Sequence, residues 1–189
     1  MRASHPTLLA ASRAIAAQRE DMISRWSEWL GERMTSSRVV SRALVERQLG
    51  LILDVLASMV GPLRRETKPI WARVTEHYGR IAAARGLAAG EVVEEMQYLR
   101  EVLIRYLAPS IAALRPRQGM SLLLRLNRLV DRGVAMAVIG YTDALVHTLI
   151  PGDGRHGNGA PTVDPADFSR DLETISDALG QVVASAGGR

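Results

Sequence analysis

The chain has 189 residues, a formal net charge of +4, 47% apolar residues and no cysteine. This length and apolar content suit one domain with an appendage and a substantial core, and the missing cysteines exclude a disulfide framework and a thiolate metal site. The basic residues are arginine apart from Lys68 and alternate with Asp and Glu; the two concentrated patches, Arg64, Arg65 and Lys68 and then Arg115 and Arg117, have no interleaved aromatics, so no nucleic-acid partner is expected.

The N-terminal apolar run is broken by Arg13 and continues into an amphipathic pattern, unlike a secretory signal. The periodicity predicts a first helix from about Thr7 to Met34, with Leu8, Ile15, Met22, Trp26 and Trp29 or Leu30 on one face. Ile15, Met22 and Trp29 are heptad-spaced, which serves either a core or a short inter-subunit coil. Thr35, Ser36 and Ser37 offer hydroxyls to cap a second helix, roughly Arg38 to Val60, with a stripe of Val40, Leu44, Leu51, Val55 and Met59. Gly61 and Pro62 stop it.

The stretch Ile70–Tyr106 reads as two amphipathic helices around a glycine corner. Ile70, Val74, His77 and Ile81 form one inward stripe, which turns a histidine toward the interior. Gly86 suits a left-handed helix end, and Arg85 puts a cation at the negative end of the dipole. The second stripe is Val92, Met96, Leu99, Leu103 and Tyr106 or Leu107, with Glu91, Glu94 and Glu95 in the first turns. A ligand site between these helices would be lined by His77, Trp71, Val74 and Tyr98.

Pro109 and Arg115-Pro116 break the chain before a long last core helix, about Gly119 to Ile150, roughly 45 Å at about 1.5 Å per residue. Its unbroken apolar run, Gly133 to Tyr141, falls far short of the ~20 residues of a membrane span. The expectation is a cytoplasmic protein without a membrane partner. Gly133, Ala137, Gly140 and Ala144 share one stripe and Leu123, Val130, Val134, Tyr141 and Leu145 another. Two apolar faces imply two packing partners, a sister helix or a second subunit; the small-residue stripe, Gly133, Ala137, Gly140 and Ala144, is the expected homodimer interface.

Residues 151–163 have the composition of a flexible linker. Asp164-Pro165 then opens a final helix, in which Phe168, Leu172, Ile175, Leu179 and Val182 follow an a/d pattern too short to stand alone. It must dock on the body, pair with a copy of itself or lead into something further.

The run EHYGRIAAARGLAAGEVVEEMQYLREVL at Glu76–Leu103 resembles the signature of the N-terminal domain of RsbR-type stressosome proteins, a globin-like sensory domain also found ahead of some bacterial histidine kinases. Ile23-Ser24-Arg25-Trp26 is similar to that family's first-helix Trp motif, and Leu129-Val130-Asp131-Arg132 with Tyr141 to its last-helix Asp-Arg motif. The similarity spans about Ala14 to Leu149. The chain departs from the pattern in placing Arg85 directly before the corner glycine and in Ala88 where a capping Ser or Thr is usual, and no attached output domain is expected within these 189 residues. The resemblance implies a globin-like fold, usually without haem. Its alternative implication is a haem axial ligand at His77, a neutral imidazole on the helix that ends at the corner.

No nucleophile motif, converging carboxylate pair or phosphate-cradling loop is present, and His77 lacks the setting of a phosphoacceptor. His5, His147 and His156 are too dispersed to suggest a metal cluster. The expected protein is all-α, a globin-like or helical-bundle domain of about five core helices over 1–150, a linker over 151–163 and a C-terminal helix over 164–189. The expected function is non-enzymatic: a homodimeric sensory or regulatory domain, cofactor-free, that passes a helix rearrangement to a signalling partner or output domain. A haem or flat apolar-ligand carrier and a purely structural dimerisation module are the alternatives.

Overall fold

In the computed structural model, residues 5–33, 40–149 and 165–187 are described, and among them every element is an α-helix. The chain is all-α, as the 3.6-residue periodicity predicts. The predicted first helix is two: α1 (His5–Ala17) and α2 (Arg19–Arg33). They meet at Gln18, and Arg19 leaves the joint to grip Asp54 of α3 (Arg42–Val60) through Nε at 2.7 Å and Nη2 at 3.1 Å. The guanidinium lies across Gly50, where any Cβ would collide with it. The core reading holds for Ile15 and Met22, both fully buried.

The cap of α3 is Ser41, whose Oγ accepts from the Leu44 amide at 3.2 Å. The predicted capping trio, Thr35 to Ser37, lies outside the described residues. α3 is buried along most of its length because α1, α2, α4, α6 and α7 all reach it. It ends at Val60, before Gly61 and Pro62, as read from the sequence.

α4 (Arg64–Ala84) and α5 (Ala89–Ala112) are the predicted pair. Gly86 has φ of 81°. The Leu87 amide donates to the Ala82 carbonyl at 3.2 Å and the Gly86 amide to Ala83 at 2.9 Å, a Schellman closure of α4. Gly86→Val is therefore expected to destabilise by more than the ~1 kcal/mol of a helix-propensity change, read as a lower thermal midpoint. Glu91 closes the start of α5 by accepting from the Ala88 amide at 2.6 Å, which compensates for an N-cap without a hydroxyl.

Pro109 does not break the chain. It sits in the last turn of α5, and the amide of Ala113 still bonds its carbonyl at 3.1 Å. α6 (Pro116–Leu149) starts three residues earlier than expected, because Pro116 occupies the first helical turn, where a missing N–H costs nothing. Its 34 residues make it about 51 Å long at ~1.5 Å per residue. Among the described residues no helix is long and apolar enough to cross a membrane.

The small-residue stripe of α6 is where the structure corrects the expected subunit interface. Gly133 packs on the indole of Trp71, a Cβ at Gly79 of α4 would overlap the Ala137 carbonyl, and a Cβ at Gly140 would overlap the Glu76 carbonyl. Gly133, Ala137 and Gly140 are thus buried inside one chain at the closest crossing, α4 on α6. Ala144 borders a groove beside α4 and α7 (Pro165–Gly187). The stripe is not free to meet a second subunit, because α4 already fills the space that its missing side chains leave.

Candidate functional site

α4 carries three of the buried polar residues, Thr67, Thr75 and His77, and α3 and α5 face it with Gln48 and Glu95. His77, one helical turn past Val74 on its inward stripe, is fully buried. Gln48 of α3 donates its amide Nε2 to the Val74 carbonyl at 2.9 Å. A carbonyl can only accept, so the orientation of that amide is fixed and its Oε1 faces His77 Nδ1 at 2.6 Å. The imidazole therefore carries its proton on Nδ1, which leaves Nε2 as the acceptor nitrogen. Phe168 of α7 stands edge-on to the ring, centroids 5.7 Å apart at 82°.

Burial, and next the nearby Arg80 charge, push the His77 pKa down to about 4, while Asp171 and the Phe168 backbone oppose the shift. A folded-state value below the unfolded ~6.5 means that the unfolded chain binds the extra proton. The stability contributed is complete above pH ~6.5 and is lost as pH falls toward about 4. The loss is on the order of 3 kcal/mol. Denaturation midpoints measured across this window should fall with acid in the wild type and flatten in His77→Asn.

The second buried group ties α4 to α5. Arg85 grips Glu95 with both terminal nitrogens, Nη2 to Oε1 at 2.6 Å and Nη1 to Oε2 at 3.0 Å, and the Tyr78 hydroxyl donates to Oε2 at 2.5 Å. The Arg85 and Glu95 side chains are 2% and 6% exposed. Burial first, and the Glu95 charge next, hold the Tyr78 hydroxyl well above its ordinary pKa. Arg85 is thus a buried ion-pair partner rather than a solvated cation at the helix end. One helix along, the Tyr141 hydroxyl of α6 donates to the Leu87 carbonyl at 2.7 Å, joining the corner to the longest helix.

The expected ligand set is only partly brought together. Trp71, Val74 and His77 are all buried on α4, but the Trp71 indole donates to the Leu129 carbonyl at 3.1 Å and the Val74 carbonyl is taken by Gln48. Tyr98 belongs elsewhere: it stacks on Trp29 at 4.3 Å and lines a cleft of about 360 Å³ with Arg25, Glu101, Arg105 and Tyr106. The tautomer of His77 is the one a metal ligand requires. The space around the ring is nevertheless filled by Gln48 and Phe168, so the residues as arranged do not fit a porphyrin. Among the described residues no group of three or more His, Asp or Glu could hold a metal ion.

Sequence reasoning misses Gln48 and Glu95 as site residues. Gln48 has a signal, a polar residue inside the apolar run of α3; Glu95 has none, lying among other glutamates in the first turns of α5.

α7 covers this region. Phe168, Leu172, Ile175 and Leu179 are buried against α4 and α3, so the C-terminal helix docks on the body. Comparison with protein-family models, with curated proteins and with solved structures gives no match.

Proposed function

We propose that this chain is a non-enzymatic sensory or regulatory domain that works as a homodimer, paired through the outward face of α6, and signals to a protein partner or output domain. The observation that carries this reading is an unpartnered apolar stripe. Met120 is 58% exposed, Leu124 48%, Ile139 47% and Val146 42%, all along one side of the longest helix. A stripe of that length left in water is costly, and a second copy covers it.

The stripe also favours one geometry. Leu124, Arg128, Asp131, Ala135, Val138 and Thr142 recur at alternating four- and three-residue steps, the spacing of a coiled-coil seam. A parallel pairing would set Arg128 against itself. An antiparallel two-fold sets Arg128 against Asp131, Leu124 against Ala135 and Met120 against Ile139, which makes the surface self-complementary. Asp131 meets Arg100 of its own chain, yet 62% of its side chain stays exposed, which leaves it open to a second arginine.

Two further observations support a regulatory role. The buried polar groups are spent on structure, Glu95 by Arg85 and Tyr78, and His77 by Gln48. Tyr141 couples the α4–α5 corner to α6, so a change of packing at the corner reaches the proposed interface. A signal shifts this equilibrium only by binding one arrangement better than the other. The resemblance to the globin-like stressosome domains points the same way. Light scattering at micromolar concentration should give twice the chain mass for the wild type and one chain mass for Leu124→Glu/Ile139→Glu; a monomeric wild type overturns the reading.

A further inference from the structure

α7 is seated differently from the other helices. It packs on α3 and α4, and its polar side faces water. The chain between Leu149 and Pro165 is its sole covalent tie to the body. The groove beneath it is complete without it, because α3 and α4 pack on each other and on α6. Phe168 stands edge-on over the imidazole of His77 and closes the groove above it.

The rim of the groove carries three arginines with Glu76 among them, and the helix is acidic. Arg80 meets Asp171 at 3.2 Å and Arg47 meets Glu173 at 3.4 Å, while Arg73 lines the same side beside Asp171 and Ile175. Over its length α7 carries Asp167, Asp171, Glu173 and Asp177 against one arginine. Both ion pairs are exposed, so they orient the helix more than they hold it.

We propose that the α3–α4 groove is a docking site for an acidic amphipathic helix of a partner protein, and that α7 is its built-in competitor, displaced when the partner binds. The partner helix would present large apolar residues at the spacing of Phe168, Leu172, Ile175 and Leu179, with carboxylates where Asp171 and Glu173 stand. Apolar anchors supply the affinity and the arginine rim supplies orientation and selectivity. The tether gives α7 a high local concentration, so a partner must bind more tightly than the free α7 sequence does. The groove exists in a single chain, so this inference stands or falls independently of dimerisation through α6.

The probe is a fluorescein-labelled peptide of this chain's own residues 165–187, added to the full-length protein. It should bind a Phe168→Ala/Leu172→Ala chain, whose own helix is weakened, at least roughly tenfold more tightly than the wild type, in which the tethered helix competes. Arg47→Glu/Arg80→Glu in the same background should weaken that binding, and a peptide of identical composition with scrambled order should not bind. His77 should become modifiable by diethyl pyrocarbonate in the weakened chain and be protected again by the peptide. Equal binding to both chains, binding to neither, or equal binding of the scrambled peptide would each overturn the proposal. Should the weakened chain fail to fold, amide exchange of the wild type decides: α7 must exchange at least roughly tenfold faster than α3 and α4, and equal protection would show a helix that is not displaceable.

Discussion

Glu95→Ala is expected to cost about 3–5 kcal/mol in chemical denaturation, the largest loss of any single carboxylate here. The substitution strands a guanidinium whose side chain is 2% exposed and removes the acceptor of the Tyr78 hydroxyl. The cost comes from what is left behind rather than from the pair itself. Replacing both charges with apolar residues, Arg85→Met/Glu95→Leu, should therefore recover much of the loss, since the desolvation of both ions disappears together. A cost under about 1 kcal/mol for Glu95→Ala would mean that water reaches the pair, as it does at an exposed salt bridge.

Gly140→Ala carries an opposite expectation from helix propensity and from packing. Alanine in place of glycine inside a helix ordinarily gains about 0.5–1 kcal/mol. At Gly140 the added carbon would overlap the Glu76 carbonyl oxygen, and at Gly79 the Ala137 carbonyl. Both obstacles are backbone, so no rotamer change relieves them and α4 and α6 must move apart. A net loss of about 3 kcal/mol or more is expected for either glycine, at the upper end of overpacking costs. Denaturation of the purified variants checks this. Stabilisation would show that the helices do not cross where the small stripe places them.

The same stripe shows what the sequence conveys and what it leaves open. Its spacing reports that something approaches closely, but a glycine row is equally suited to a sister helix and to another chain. Only the matching Gly79 on α4, at the crossing with Ala137, identifies the partner. The inward faces of α3, α4 and α5 are legible because burial of one side imposes a 3.6-residue rhythm on the apolar residues, and His77 falls on that rhythm. Gly86 is legible because few residues other than glycine take a φ of 81°.

Other features have no local signature. The joint at Gln18 contains neither glycine nor proline and is marked by a long-range contact, Arg19 to Asp54, that no periodicity encodes. Tyr78, Arg85 and Glu95 lie on two helices separated by a corner, so their convergence depends on the angle of that corner. Pro109 misleads because it removes a single N–H from the ladder, the bond to the Arg105 carbonyl, while its own carbonyl still accepts from Ala113. The outward stripe of α6 escapes a reading by apolar periodicity because it is interrupted by Arg128 and Asp131, the two charges that the proposed antiparallel pairing matches.

Those two charges provide the most direct measurement. Arg128→Glu alone would face carboxylate with carboxylate across the two-fold, and Asp131→Arg alone would face arginine with arginine, so each variant should be monomeric by light scattering at micromolar concentration. Mixed in equal amounts, the two variants should form a heterodimer. The carboxylate introduced in one chain then faces the guanidinium introduced in the other, and the native Asp131 of the first chain faces the native Arg128 of the second, so both contacts are attractive. A mixture that remains monomeric, or single variants that dimerise as well as the wild type, would contradict an antiparallel interface on the outward face of α6.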